Sequence, residues 1–301
     1  MSPSLVAQLA AVVVPIVALA ALGWAWVKRD LAYETPFVTR LVMEIGTPCL
    51  IFATLAKARI EPAAFREMAL ATLALYGAML AGGAVLFRAL GLGQRVWLAP
   101  FAFGNTGNIG LPLCLFAYGA EGLALGVVAF ATMAVMSFTL GIWVVSGERL
   151  PREALRQPLV YASIAGAVVL GLGWELPRWL DNTVTLAGQM TIPLMLVTLG
   201  AAVASLPVAS AGRTLWLSAA KALASAGLAF GIAWALGLGE TATGVFVLQA
   251  ITPVAVTSYL IAEQFGTEPK EVARYVMVST LMSLVTVPLA LAWLLAGQPS
   301  G

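Results

Sequence analysis

Long apolar stretches alternate with short polar breaks along the whole chain. The apolar segments cover residues 4–27, 36–56, 66–90, 95–119, 121–146, 155–175, 182–205, 212–238, 241–265 and 269–296. Each matches the roughly 20 apolar residues that carry a helix across a bilayer core. Nothing is left over for a water-soluble domain. The pattern predicts an all-α membrane protein of ten transmembrane helices.

The first segment has no basic residue before it and is followed by Lys28, Arg29 and Asp30, the flank of a retained helix rather than of a cleaved signal peptide. Counting loops on alternate sides puts Lys28, Arg29, Arg40, Arg88, Arg95, Arg149, Arg152, Arg156, Arg213, Lys221, Lys270 and Arg274 on one face, twelve in all. Lys57, Arg59, Arg66 and Arg178, four in all, fall on the other. Basic residues accumulate in cytoplasmic loops. The expectation is a multi-pass protein of the cytoplasmic (inner) membrane with both termini outside.

The pattern also repeats. Ala89-Leu90-Gly91-Leu92-Gly93 recurs as Ala235-Leu236-Gly237-Leu238-Gly239 at an offset of 146. Pro48 has a counterpart in Pro193 at 145, with Glu44 opposite Gln189, and Gly119-Ala120-Glu121 matches Gly266-Thr267-Glu268 at 147. A repeat of five spans is odd, so its second copy enters the membrane from the opposite side, the inverted plan of many secondary transporters. The division expected is 1–150 for the first five-helix repeat and 151–301 for the second.

Composition narrows the chemistry. The chain is 61% hydrophobic and 10% charged, with a formal net charge of +2, so it offers no basic surface for nucleic acid. It has no histidine, and Cys49 and Cys114 lie far apart in apolar runs, which leaves no evident metal set or disulfide framework. A GxxxxGK[ST] phosphate loop and an HExxH motif are both lacking. No cofactor is expected, with Na+ or H+ coupling left open.

Two spans carry signals of a broken helix. In the fourth, Gly104-Asn105-Thr106-Gly107-Asn108-Ile109-Gly110-Leu111-Pro112 combines three glycines with a proline, and Gly104, Gly110 and Pro112 are the expected breakers. The motif starts about ten residues past Arg95, roughly 15 Å into the membrane. The ninth span holds Gln249-Ala250-Ile251-Thr252-Pro253-Val254 at the matching place, with Pro253 as breaker. Non-helical backbone at that depth is tolerated only inside protein or along a wet cavity. A kink alone leaves the buried amides of Asn105 and Asn108 unexplained, because such groups need partners. The free N–H groups where each second half begins favour an anion. Asn105, Thr106, Gly107, Asn108, Gln249, Thr252, Pro253 and Val254 are therefore the expected contacts of a small carboxylate.

Three ionisable residues fall in or near the hydrocarbon: Glu44, Lys221 and Glu263. Glu44 is read either as a proton carrier or as a structural hydrogen-bonding group, Lys221 either as functional or as snorkelling to the interface, and Glu263 as a solvated end residue. Gln249, Thr132, Ser137, Ser283 and Thr286 offer oxygens of the kind sodium prefers, although membrane hydroxyls often bond their own helix. Glu44, Lys221 and Gln249 are the candidates for ion coupling. Trp24, Trp26, Trp143, Trp174, Trp179 and Trp293 fall near span ends, as an interfacial belt does.

The stretch Gly104 to Leu113, the stretch Thr252 to Ser258, and the glycines Gly119 and Gly266 resemble the auxin efflux carrier family. The resemblance covers essentially the whole chain, and the short link between spans five and six is similar to bacterial members rather than to plant auxin carriers. It implies an elevator related in fold to the bile-acid sodium symporters, with scaffold helices in 4–56 and 155–205 and transport-domain helices in 66–146 and 212–296. It also implies a homodimer through the scaffold and a substrate at the crossing of spans four and nine, with Asn105 as the main polar contact. Thr252 stands where some auxin carriers have asparagine, so substrate identity does not transfer.

The leading expectation is a secondary transporter of a small organic anion, with the lipid bilayer and that anion as its partners. The alternatives are a sodium-coupled symporter of the bile-acid type and a membrane sensor that binds without flux. An intramembrane enzyme has no nucleophile and base to rest on.

Overall fold

The computed structural model describes residues 3–58, 61–147, 157–205 and 212–296, and there the chain is all helical. α1 (Pro3–Lys28) is one long apolar helix. The next span is built from α2 (Thr35–Leu41), a π-helical turn Val42–Gly46 and α3 (Thr47–Lys57). Pro48 explains the wide turn, because it supplies no N–H to the carbonyl of residue 44. α4 (Pro62–Ala89) is continuous. α5 (Gln94–Ala102) stops abruptly, and a π turn Thr106–Gly110 leads into α6 (Leu111–Met136). α6 folds back at Gly119 (φ 62°, ψ −149°), continues through a π turn Ser137–Gly141, and ends as α7 (Ile142–Ser146).

The second half follows with α8 (Pro158–Leu172), α9 (Arg178–Gln189), α10 (Thr191–Ser205) and α11 (Gly212–Leu236). α12 (Glu240–Ala250) and α13 (Val256–Gln264) flank a second opening, and α14 (Pro269–Ala296) closes the described chain. Seven helical runs among the described residues are long and apolar enough to cross a membrane, and α8 is a shorter apolar helix. This is an all-α membrane protein. α5, α12 and α13 fall short of that length because the chain opens between their inner ends.

The repeated glycine motif folds the same way twice. Gly91 (φ 65°) and Gly237 (φ 64°) both turn left-handed, where a side chain would be strained. In each copy the following leucine returns its N–H one turn back, Leu92 to Phe87 O at 2.8 Å and Leu238 to Ala233 O at 3.0 Å. Both are glycine C-caps of the Schellman type. Gly119 and Gly266 share the left-handed φ as well.

Two helix pairs have the most extensive packing, α1 against α10 and α3 against α8. The first pair touches backbone to backbone: a Cβ on Gly23 would lie 1.9 Å from Val197 O, and one on Gly200 1.7 Å from Ala20 O. Small residues let membrane helices approach this closely. Lys57 at the end of α3 meets Asp181 of α9 at 2.6 Å and donates to Thr185 at 2.8 Å. Arg59, Arg149, Arg152 and Arg156, part of the charge count, lie outside the described residues.

Candidate functional site at the crossing of two opened helices

The first opening lies at Phe103–Asn105, around Gly104 and ahead of the other two expected breakers, Gly110 and Pro112. Gly110 closes the π turn and Pro112 sits in the first turn of α6, both in helical backbone. Pro112 has no N–H to give the carbonyl of Asn108 one turn back, which fits the wide π turn that precedes it, as at Pro48. The second opening, Ile251–Ala255, contains Pro253.

The two openings touch. Gly104 and Val254 form an antiparallel bridge, and Asn105 donates its backbone N–H to Pro253 O at 2.7 Å. Such backbone needs internal partners in a membrane. Val254 N–H finds one in Ser279 Oγ of α14 at 3.0 Å, and Thr252 Oγ1 donates to Gln249 O at 2.8 Å, capping the end of α12. At the end of α5, Lys221 Nζ donates to Phe101 O at 3.0 Å and Ala102 O at 3.4 Å. Ring contacts anchor that end to α4: Phe103 on Tyr76 with centroids 5.6 Å apart, and Phe101 on Phe87 at 5.3 Å.

The crossing is tight. A Cβ on Gly104 would stand 2.3 Å from Thr252 Oγ1, and one on Gly110 2.2 Å from Gln249 Oε1. Glycine at these two positions is a packing requirement. Gln249 Nε2 in turn donates to Gly126 O at 3.2 Å.

Asn105 caps the π turn, its Oδ1 accepting from Asn108 N–H at 3.3 Å. Its Nδ2 is buried without a partner in the chain, as are Thr106 Oγ1 and Gln249 Oε1. A buried, unpartnered polar atom costs about 1–3 kcal/mol. These atoms therefore favour a visiting partner. Of the eight sequence-predicted contacts only Asn108 lines the cavity of about 550 Å³ beside the crossing. Asn105, Thr106, Gln249, Thr252 and Val254 are buried and do not line it.

Residues that the sequence did not single out complete that cavity. Thr39, Thr198, Thr257 and Tyr259 add hydroxyls, Met195 an apolar wall, and Lys270 and Glu263 one charge of each sign. A second cavity, about 620 Å³, lies by the other end of the Thr35–Lys57 run and is lined by Thr54, Lys57, Glu121 and Gln189. No local pattern marks these residues, because they belong to separate helices.

The coupling candidates diverge. Glu44 faces the exterior and pairs with Arg40 at 2.8 Å, so the structure does not bring it to the crossing. Lys221 is buried at 3% exposure and does not snorkel. Thr132 and Ser283 bond carbonyls of their own helices, Val128 O and Thr280 O. Ser279, unnoticed in the sequence, holds the second opening.

The sequence matches the profile of the membrane transport protein family over residues 9–150 and 142–291, nearly the whole chain. The chain belongs to this family, that of the auxin efflux carriers. As a family member it resembles an uncharacterised transporter of Methanothermobacter thermautotrophicus, 27% identical over 265 residues, 84% of this chain and 86% of the relative. An uncharacterised transporter of Methanocaldococcus jannaschii is 23% identical over 199 residues, 62% of this chain and 64% of that relative. The family is one of membrane transporters, and a multi-pass helical protein fits it.

Proposed function

We propose that this chain is a secondary carrier of a small organic anion, a carboxylate, that works by elevator-type alternating access across the cytoplasmic membrane. The observation that carries the reading is the bond between Asn105 and Pro253 that joins two opened helices, beside buried amide atoms without partners. The starts of the π turn at Thr106 and of α13 bring free N–H groups to one region, with Asn108 on the cavity wall. Helix starts and amides suit a carboxylate.

Ten spans in two inverted repeats, 1–150 and 151–301, account for the packing. With α5 plus the start of α6 as span four, and α12 plus α13 as span nine, spans one and seven pair as α1 with α10. Their symmetry mates, spans six and two, pair as α8 with α3. These four spans make the scaffold, 4–56 and 155–205, and the remaining spans, 66–146 and 212–296, the transport domain. The cavities follow the same symmetry, each lying between spans two and seven and the second half of an opened helix. The charge count puts the Lys270 cavity on the cytoplasmic side and both termini outside. The scaffold face is the expected homodimer contact.

Counterflow of radiolabelled mono- and dicarboxylates in proteoliposomes tests the reading. Saturable uptake that is lost in Asn105→Asp is the expected result. Ligand binding without flux would instead make the protein a sensor.

A further inference from the structure

The mechanism above leaves one buried charge without a task. Lys221 sits in the middle of α11 with its ammonium on the last two carbonyls of α5, and among the described residues no carboxylate pairs with it. An unpaired ammonium at that depth is costly, so its surroundings must replace water. They do so with oxygen. The carbonyls of Phe101 and Ala102 form the negative end of a half-helix. Ser218, Thr252, Ser279 and Ser283 surround the same spot, in a cleft of only about 10 Å³. Carbonyls at half-helix C-termini are also what transporters of this plan use to hold a coupling cation.

We propose that Lys221 is a tethered cation: its ammonium fills a sodium-type site at the end of α5, so the protein needs no sodium, and removing the ammonium leaves a site that sodium can enter. The other half of the crossing handles its helix end differently. There Thr252 caps α12 through a hydroxyl, and Leu75, which lies 146 residues before Lys221, is apolar and buried. The device is one-sided, which ties the balancing charge to α11 and moves it with the crossing.

The consequence for flux rests on the carrier reading, whereas the cation site does not. The test is thermal unfolding of the detergent-purified full chain in sodium, potassium and choline chloride at equal ionic strength. The wild type should melt at the same temperature in all three. Lys221→Ser, which removes the ammonium and adds an oxygen, should melt lower in choline and be raised measurably by sodium, more so at higher sodium, because a ligand that binds only the folded state stabilises it by mass action. Lys221→Met, which fills the stem volume without charge or oxygen, should be destabilised and show no sodium rescue.

A sodium-dependent rise in the wild type overturns the proposal without reference to any variant. So does a Lys221→Ser protein that melts alike in every salt or is unfolded in all of them. Proteoliposome uptake separates the two readings: sodium-dependent uptake by the wild type overturns the tethered cation and keeps the carrier. Absence of flux for every carboxylate, with the salt response intact, does the reverse.

Discussion

Asn105 and Pro253, 148 residues apart in the chain, meet through a backbone hydrogen bond of 2.7 Å at the point where both helices open. The bond is made by main-chain atoms, so side-chain substitution tests what surrounds it rather than the bond itself. Asn105 contributes twice, through its N–H to Pro253 and through Oδ1 to the N–H of Asn108.

Asn105→Asp keeps the capping acceptor and replaces the free amide donor by an anion. Because a carboxylate is favoured at a helix start, this variant should remain folded while losing at least tenfold in carboxylate affinity. Asn105→Ala should lose binding and also about 1 kcal/mol of stability from the missing cap. Ligand-induced shifts in melting temperature, read beside the melting temperatures of the free variants, separate the two effects.

Gly110→Ala should be destabilised by about 1–3 kcal/mol through overpacking, because its new methyl group meets Gln249 Oε1. Combining it with Gln249→Ala should recover more than half of that loss. Denaturation of the singles and the double gives the coupling directly. Additive losses would mean that the close approach in the structure is not the cause.

In the α1–α10 contact, Gly200→Leu drives a side chain onto the carbonyl of Ala20, which cannot retreat without moving the helix. Losses above about 3 kcal/mol, seen as aggregation on size exclusion, are expected from overpacking against backbone. Gly231 is the control, with nothing within 4 Å of its Cβ position. Gly231→Ala should be neutral or stabilise by up to about 1 kcal/mol through helix propensity.

Ser279→Ala strands the buried N–H of Val254 and should cost about 1–3 kcal/mol. Ser283→Ala, one turn further on, leaves the Val254 N–H bonded and removes a bond to the carbonyl of Thr280 in its own helix and one oxygen of the Lys221 cleft, so it should cost less than Ser279→Ala. Hydrogen exchange at Val254 and Ala255 should quicken in the first variant and not in the second.

Asp181→Asn breaks the pair with Lys57 at the α3–α9 contact. Both side chains are partly exposed, so the loss should stay under about 1 kcal/mol and shrink with added salt. A loss several times larger would mark this pair as a structural lock between the two helices.

The sequence by itself determined the features that depend on neighbours along the chain. Apolar runs located the membrane helices, with α14 beginning and ending where its run does. The two Ala-Leu-Gly-Leu-Gly motifs became matching left-handed caps, because that conformation is a local property of glycine. Pro253 marked its opening because a missing N–H acts within one turn. Tertiary structure decided everything that needs a partner from far away. The first opening sits at Phe103–Asn105, ahead of Gly110 and Pro112, because the Gly104–Val254 bridge and the Lys221 bonds satisfy the backbone at that point. Lys221 reads equally as functional or as snorkelling until its carbonyl partner, 120 residues away, is known. Glu44 reads as a proton carrier or a structural hydrogen-bonding group until its pairing with Arg40 on the exterior is seen. Periodicity and residue type encode helix and break, whereas a hydrogen bond between distant segments is set by how the helices pack.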